Sequence, residues 1–160
     1  MKTLIKYFLS LVIATFFFAC GNDDDPTNIS AQQAAAKALN IVSGQVTSTE
    51  LDNTGTVPEW DVDVTTDAGS KIELEFDHAT GNLLEIEGNE GPFTYEVDPG
   101  LGLVIFSQAK ETAMQEVDFG EITKWELEKD EAGKWIYEFI IANDGQEQQI
   151  KIDAATGLVI

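Results

Sequence analysis

Two stretches of this 160-residue chain repeat one another, and no other feature limits its possible folds as much. Residues 44–52 read GQVTSTELD and residues 120–128 read GEITKWELE, an offset of 76. FDHATG at 76–81 matches IDAATG at 152–157 at the same offset. Between them, Trp60-Asp61-Val62 aligns with Tyr137-Glu138-Phe139 at an offset of 77. The second copy therefore carries one extra residue in its first hairpin loop and one fewer in its second. Length changes confined to loops, with strand parity kept, mark a structural repeat.

Each copy opens with a predicted helix. Ser30 is an N-cap, and Gln33 three residues on completes a capping box. Ala31, Ala34, Ala35, Ala38, Leu39 and Val42 follow the 3.6-residue period and give one narrow face of small side chains that can lie close to a sheet. In the second copy Ser107 begins the helix, with Phe106, Ala109, Ala113, Met114 and Val117 as its stripe. Gly44 and Gly120 are placed as C-terminal stops. Strands follow: Trp60, Val62 and Val64 alternate with Asp61 and Asp63, and Ile72, Leu74 and Phe76 with Glu73 and Glu75. That period-2 pattern describes an antiparallel sheet with one wet face. Asp67-Ala68-Gly69 and Asp144-Gly145 read as hairpin turns, and 77–81 and 153–157 as turns in which Asp accepts backbone N–H bonds.

The expected fold is α+β: two repeats, each an N-terminal helix packed on a small antiparallel sheet of about four strands. Repeat 1 spans 29–87 and repeat 2 spans 104–160. Units of this size sit near the lower limit for an independent core, so a shared interface or continuous sheet is expected. Residues 88–103 carry Phe93, Tyr95 and Val97 in alternation, then Asp98-Pro99-Gly100, and read as a bridging strand and loop.

Upstream, residues 1–19 have the layout of an export signal. Lys2 and Lys6 precede an apolar run from 7 to 18, and Ala19 precedes Cys20, the only cysteine. A disulfide within the chain has no second thiol. The pattern resembles a bacterial lipoprotein signal, in which Cys20 is lipidated and becomes the mature N-terminus; Phe17 departs from the usual aliphatic residue. Cleavage after Ala14 by ordinary signal peptidase is the alternative. Residues 20–28 form the lipidated cysteine and a polar tether. Its Asp23, Asp24 and Asp25 resemble the surface-export signal of Bacteroidetes lipoproteins, against the plainer reading of a solvated linker. The expected location is the cell envelope, as an outer-membrane lipoprotein, with the acidic tether pointing to a domain that faces the cell exterior.

Charge excludes whole classes of function. Nine lysines and no arginine stand against 29 acidic residues, for a formal net charge of −20. Nucleic-acid binding needs clustered cations that are absent, and attraction to anionic lipid fails for the same reason, leaving the lipid as the only membrane contact. No catalytic centre is visible. A zinc peptidase needs histidine pairs, and the single histidine, His78, is replaced in the other copy by Ala154. Neither a Ser-His-Asp triad nor a paired-carboxylate centre stands out from strands whose acids occupy wet positions. Asp61 and Asp63 share a strand face and Asp23, Asp24 and Asp25 are adjacent, but no EF-hand loop exists; no metal ligand is assigned, and calcium stays as the alternative cofactor reading.

The aromatic residues carry more information. Trp60 fits the core face of its strand. Trp135, Tyr137, Phe139 and Ile141 form one face of theirs, which leaves Ile136 and Ile140 apolar on the opposite side, where the first copy has Glu59 and Asp63. Trp125 stands where the first copy has Thr49. Trp125, Ile136 and Ile140 are either packing between repeats or a partner-binding surface.

Taken together, ISAQQAAAKALNIVSGQVTSTELD, EWDVDV and FDHATGNLLEI, then FSQAKETAMQEVDFGEITKWELE, IYEFII and IDAATGLVI, resemble a tandem pair of PepSY domains. The resemblance implies a helix packed on an antiparallel sheet and no shared catalytic residues. Its members include propeptides of thermolysin-type metallopeptidases and stand-alone secreted or lipid-anchored proteins proposed to restrain peptidases. No peptidase domain follows Ile160, so any such target is expected to be a separate protein. The expectation is a non-enzymatic, lipid-anchored module binding a protein or peptide partner, a peptidase among the candidates. The alternative is an acidic divalent-cation-binding or structural surface lipoprotein.

Overall fold

In the computed structural model, residues 28–160 are described; Cys20, Asp23, Asp24, Asp25 and the leader lie outside them. The order is α1 (Ala31–Ile41), β1 (Gln45–Asp52), β2 (Glu59–Thr65), β3 (Lys71–Asp77), β4 (Leu83–Gly88), α2 (Phe106–Gln115), β5 (Glu121–Lys129), β6 (Trp135–Asn143) and β7 (Gln146–Asp153). All seven strands form one antiparallel sheet in chain order. The two repeats therefore share a continuous sheet. Repeat 1 contributes four strands; repeat 2 contributes three and an isolated bridge, Ile152 to Val159.

Both helices cover the same face. α1 packs on β1 and β2, and α2 on β6 and β7. Ala34, Ala38, Ala109 and Ala113 are fully buried against Val62, Leu74, Ile86, Leu127, Tyr137 and Ile152 in a single core. Alanine on the inner stripe lets the helix axis approach the sheet, as the sequence period requires. Ser30 caps α1 as expected: its hydroxyl accepts from the Gln33 N–H (3.3 Å), while the Gln33 side chain accepts from the Ser30 N–H (2.8 Å).

The second helix starts differently from expectation. It begins at Phe106 with Ile105 in the cap position and no side-chain cap of its own. Glu96, from the connecting segment, supplies the acceptor instead, taking the N–H of Ser107 (3.0 Å) and of Val97 (3.1 Å) on one oxygen. A carboxylate there satisfies a helix-end donor and complements the helix dipole. The connecting segment is not a strand: Val97 makes one bridge, to Val42, and the Asp98 N–H donates to the Ile41 carbonyl (3.0 Å). Phe93 and Tyr95 fold over the core, where Tyr95 stacks on Phe106 with centroids 5.4 Å apart.

Gly44 and Gly120 do not cap helices. They precede β1 and β5, where each strand passes tightly over its neighbour. A Cβ on Gly44 would meet the Thr65 carbonyl and, at 2.8 Å, the Val64 side chain; on Gly120 it would meet Ile141 at 2.7 Å. The repeat extends to bulges at equivalent places, between Val46 and Ser48 in β1 and between Ile122 and Lys124 in β5. It extends also to the closing turns. Asp77 accepts from the N–H and hydroxyl of Thr80 (2.6 and 2.7 Å), and Asp153 from those of Thr156 (2.9 and 3.0 Å). These bonds hold both aspartates below the usual carboxylate range.

The halves join at three rungs only: Ile86 to Leu127, Glu87 to Glu126 and Gly88 to Trp125. At the last, the Trp125 indole N–H donates to the Tyr95 hydroxyl (2.8 Å), and a Cβ on Gly88 would strike that indole and the Tyr95 oxygen. Gly88→Ala is therefore expected to cost about 2–3 kcal/mol through overpacking. Urea unfolding should show a lower midpoint at unchanged slope; an unaltered midpoint would mean the seam yields freely.

Candidate functional site

The helices leave the other face of the sheet uncovered, and register places its side chains strand by strand. Glu50 pairs with Asp61, Asp61 with Glu75 and Glu75 with Glu85; beside that row, Asp63 pairs with Glu73 and Glu73 with Glu87. Glu87 then meets Glu126, and Glu126 meets Glu138. Like charges directly opposite each other destabilise a sheet, yet this face repeats that arrangement across six strands. The cations are few. Lys124 bridges Glu87 (2.7 Å) and Glu126 (2.5 Å), and Lys151 bridges Glu138 (2.7 Å). Both lie in repeat 2, and among the described acids of repeat 1 only Glu87 is bridged.

Proton affinity records the crowding. Partial burial, then the charges of Glu85, Glu59, Asp61 and Glu73, push Glu75 up to about 7. Partial burial, then Glu126, Glu128 and Glu87, push Glu85 up to about 7. Burial also raises Asp61, helped by Asp52, Asp63 and Glu50, and one Asp61 oxygen, Oδ1, is buried without a hydrogen-bond partner. Glu87 goes the other way: burial opposes ionisation, but hydrogen bonds from Lys124 and Asn89 hold it below the ordinary value. Two carboxylate triads, Glu59-Asp61-Glu75 and Glu85-Glu87-Glu126, have oxygens within 4.8 Å of one another. Calcium takes six to eight oxygens, more than either triad supplies with one oxygen from each residue. What the face offers chemically is a broad, concentrated negative field.

The model of a family described as "Peptidase propeptide and YPEB domain", PepSY, matches residues 28–87 and 106–160, one segment for each helix and its following strands. The chain belongs to the PepSY family. No curated protein matches it. Among solved structures, a crystal structure from Clostridium difficile 630, provisionally designated a lipoprotein, is 21% identical, with a TM-score of 0.36. The alignment covers 76% of this chain and 81% of that one. No helix among the described residues is long and apolar enough to cross a membrane.

The three residues singled out as a partner surface are not brought together. Trp125 lies on the helix-covered face of the second PepSY repeat, fully buried, with its ring 4.4 Å from Phe106 and 6.1 Å from Tyr137. Its N–H is taken by Tyr95, so it is a core residue and cannot form part of an exposed patch. Ile136 and Ile140 do lie on the open face, but Ile136 is only 4% exposed and Ile140 is half-buried. His78 packs edge-on against Trp60 (5.7 Å), and its carbonyl accepts from the Ile29 N–H (2.9 Å), a structural role. Cys20, Asp23, Asp24 and Asp25 lie outside the described residues. Sequence reasoning passed over Glu73, Glu75, Glu85 and Glu87 as solvated. The signal for them was the shared parity of IELEF and LLEIE without a lysine between to neutralise it.

Two outcomes follow from this geometry. Glu75 and Glu85 bind protons more tightly folded (about 7) than unfolded (4.5), so their contribution is fully present below pH 4.5 and is lost as pH rises through 7. Melting temperature should rise as pH falls from 8 to about 5, then drop as Asp52, Asp77 and Asp153, whose values are lowered, take up protons. Glu75→Gln should raise the melting temperature at pH 8 and hardly change it at pH 5. A profile flat between 5 and 8 would contradict the raised values. Trp125→Ala should cost about 3–5 kcal/mol in chemical denaturation, as core truncation does.

Proposed function

We propose that this PepSY chain is a non-enzymatic binding module of the cell envelope, and that its open sheet face covers a cationic surface on a protein partner. The supporting observation is the pair Glu75 and Glu85. Partial burial, and then the charge of neighbouring carboxylates, raise both to about 7. Lysine or arginine side chains laid over the face would relieve that repulsion without any rearrangement of the fold. The field would speed and orient encounter, and burial of the exposed part of Ile140 would add to residence.

Anchoring by lipid on Cys20 accords with the sequence of the leader, and Asp23, Asp24 and Asp25 would carry the module to the exterior of the outer membrane. The family's description as a peptidase propeptide domain favours a peptidase as the covered partner, restrained by occlusion of its surface.

The test is capture from envelope fractions with the full chain, beside a Glu75→Gln/Glu85→Gln variant, followed by calorimetry on the partner recovered. Retention should weaken as salt rises from about 0.05 to 0.3 M, over which screening shortens the reach of these charges. The variant should retain at least about fivefold less, a difference of about 1 kcal/mol. Binding near pH 7 should also release protons, because cations above Glu75 and Glu85 lower their proton affinity. Equal capture by both proteins at all salt concentrations would overturn this assignment. A melting temperature raised by millimolar calcium, with no partner recovered, would point to the cation-binding alternative.

A further inference from the structure

Strands β3 and β7 are equivalents 76 residues apart, but their outer edges differ. β3 is paired on both sides, with β2 and, through Phe76–Leu83, Glu75–Glu85, Leu74–Ile86 and Glu73–Glu87, with β4. β7 pairs with β6 along its whole length. On its other side only the first of those rungs recurs, as the Ile152–Val159 bridge, with the Ile160 N–H donating to the Lys151 carbonyl (3.0 Å). Among the described residues, no backbone group from another segment bonds to the outer side of residues 146–150. The Lys151 carbonyl points outward, and backbone groups alternate sides along an antiparallel strand. Gln149 and Glu147 therefore present both N–H and C=O to the open edge.

The sheet's two edges are not alike. β1 is bulged beside Val46 and carries Glu50 and Asp52, features that deter pairing. β7 has an unbroken register with β6, no proline, and a single carboxylate within residues 146–150, Glu147. Apolar surface flanks both ends of it. At one end Phe119, 60% exposed, is the apolar member of an otherwise polar cleft of about 630 Å³ with Asn143, Asp144, Gln146, Glu147 and Gln148; at the other Val159 and Ile160 are exposed.

We propose that the outer edge of β7 is a docking site for an extended segment of a partner polypeptide, one that alternates apolar and basic side chains. This goes beyond the open-face reading and does not depend on it. Repeat 1 shows what such an edge accepts. Ile86, buried, stands opposite Leu74, whose counterpart is Ile150, so the guest strand carries an apolar side chain opposite Ile150 and another opposite Gln148, near Phe119. At the alternate positions, opposite Gln149 and Glu147, its side chains share the open face with Glu138 and Glu147 and are basic. Main-chain bonds hold a strand of this kind and alternate side chains select it. A second copy of this chain, at net charge −20, brings repulsion instead.

The probe is the end-blocked peptide Glu-Ile-Lys-Val-Lys-Val, titrated into the isotope-labelled full chain and read by amide exchange. At saturation the Glu147 and Gln149 amides should exchange at least about fivefold more slowly, while the Gln148 amide, already bonded to β6, should not change. Gln149→Pro removes an outward donor without touching the β6 ladder and should abolish binding. Glu147→Lys should weaken binding about three- to tenfold. It also keeps the question open to decision if the proline variant misfolds. Unchanged exchange at Glu147 and Gln149, or equal affinity for the Glu147→Lys variant, overturns the proposal. So does concentration-dependent protection of those amides without peptide, which would assign the edge to a second copy.

Discussion

Three rungs between β4 and β5 turn two undersized units into one protein. Each repeat, at roughly 55 residues, is near the lower bound at which an apolar core repays chain entropy. Across the seam, Ile86 and Leu127 extend the inner face without a break, and Gly88 leaves room for the Trp125 indole to reach Tyr95. Tyr95 stacks on Phe106, Phe106 packs on Trp125 and Phe139, and the connecting segment is thereby tied to the first turn of α2. The seam, the connecting segment and α2 are thus one packing unit. Burial raises Tyr95 to about 12, and its un-ionised hydroxyl accepts the hydrogen bond from the Trp125 indole N–H.

A continuous sheet has a cost on its other face. Joining the halves aligns Glu87 with Glu126 and adds Glu126 and Glu128 to the field around Glu85. Lys124 sits at this junction and bridges both seam carboxylates, so the one strong cation of the centre is placed where the merger concentrates charge. Beyond Glu87, the acids of repeat 1 have no such bridge among the described residues. Its carboxylates are held in register by strands whose inner side chains, Val62, Val64, Ile72 and Leu74, are fully buried and cannot slip. Core packing therefore fixes the spacing of the open-face charges, and nothing on the open face could have chosen it.

Local patterns in the sequence were enough to read the two repeats, the Ser30 cap, the period-2 strands and the Asp-x-x-Thr-Gly turns, because each rests on contacts within a few residues. Features that depend on distant partners are not legible in the same way. Gly44 and Gly120 resemble helix stops until Thr65 and Ile141 are seen to crowd them. Ser107 resembles a cap until Glu96 takes its N–H. Trp125 looked anomalous because Thr49 replaces it in repeat 1. The difference follows from position in the sheet: β5 is central and Trp125 faces Phe106 and Tyr95, whereas β1 is an edge strand. The acidic face itself was legible residue by residue, but its crowding depends on cross-strand register, which a single strand does not encode.

The repeat also separates what folding demands from what it leaves free. In the paired strands β2/β6 and β3/β7 inner positions stay apolar in both copies, Val62 and Phe139, Leu74 and Ile150, Phe76 and Ile152, with Gln148 in the place of Ile72 as the exception there. Outer positions diverge in part: Glu59 and Asp63 in one copy stand against Ile136 and Ile140 in the other, while acids recur at Asp61 and Glu138, Glu50 and Glu126, and Asp52 and Glu128. The exception on the inner face is instructive, since Gln148 lies on the unpaired edge of β7, beside the exposed Phe119. Relaxed apolar demand at that one rung is what an edge open to solvent requires. On the proposed reading, specificity for a partner would lie in the surfaces that the shared fold does not dictate: the charged face of repeat 1, the mixed face of repeat 2, and the bare edge that bounds it.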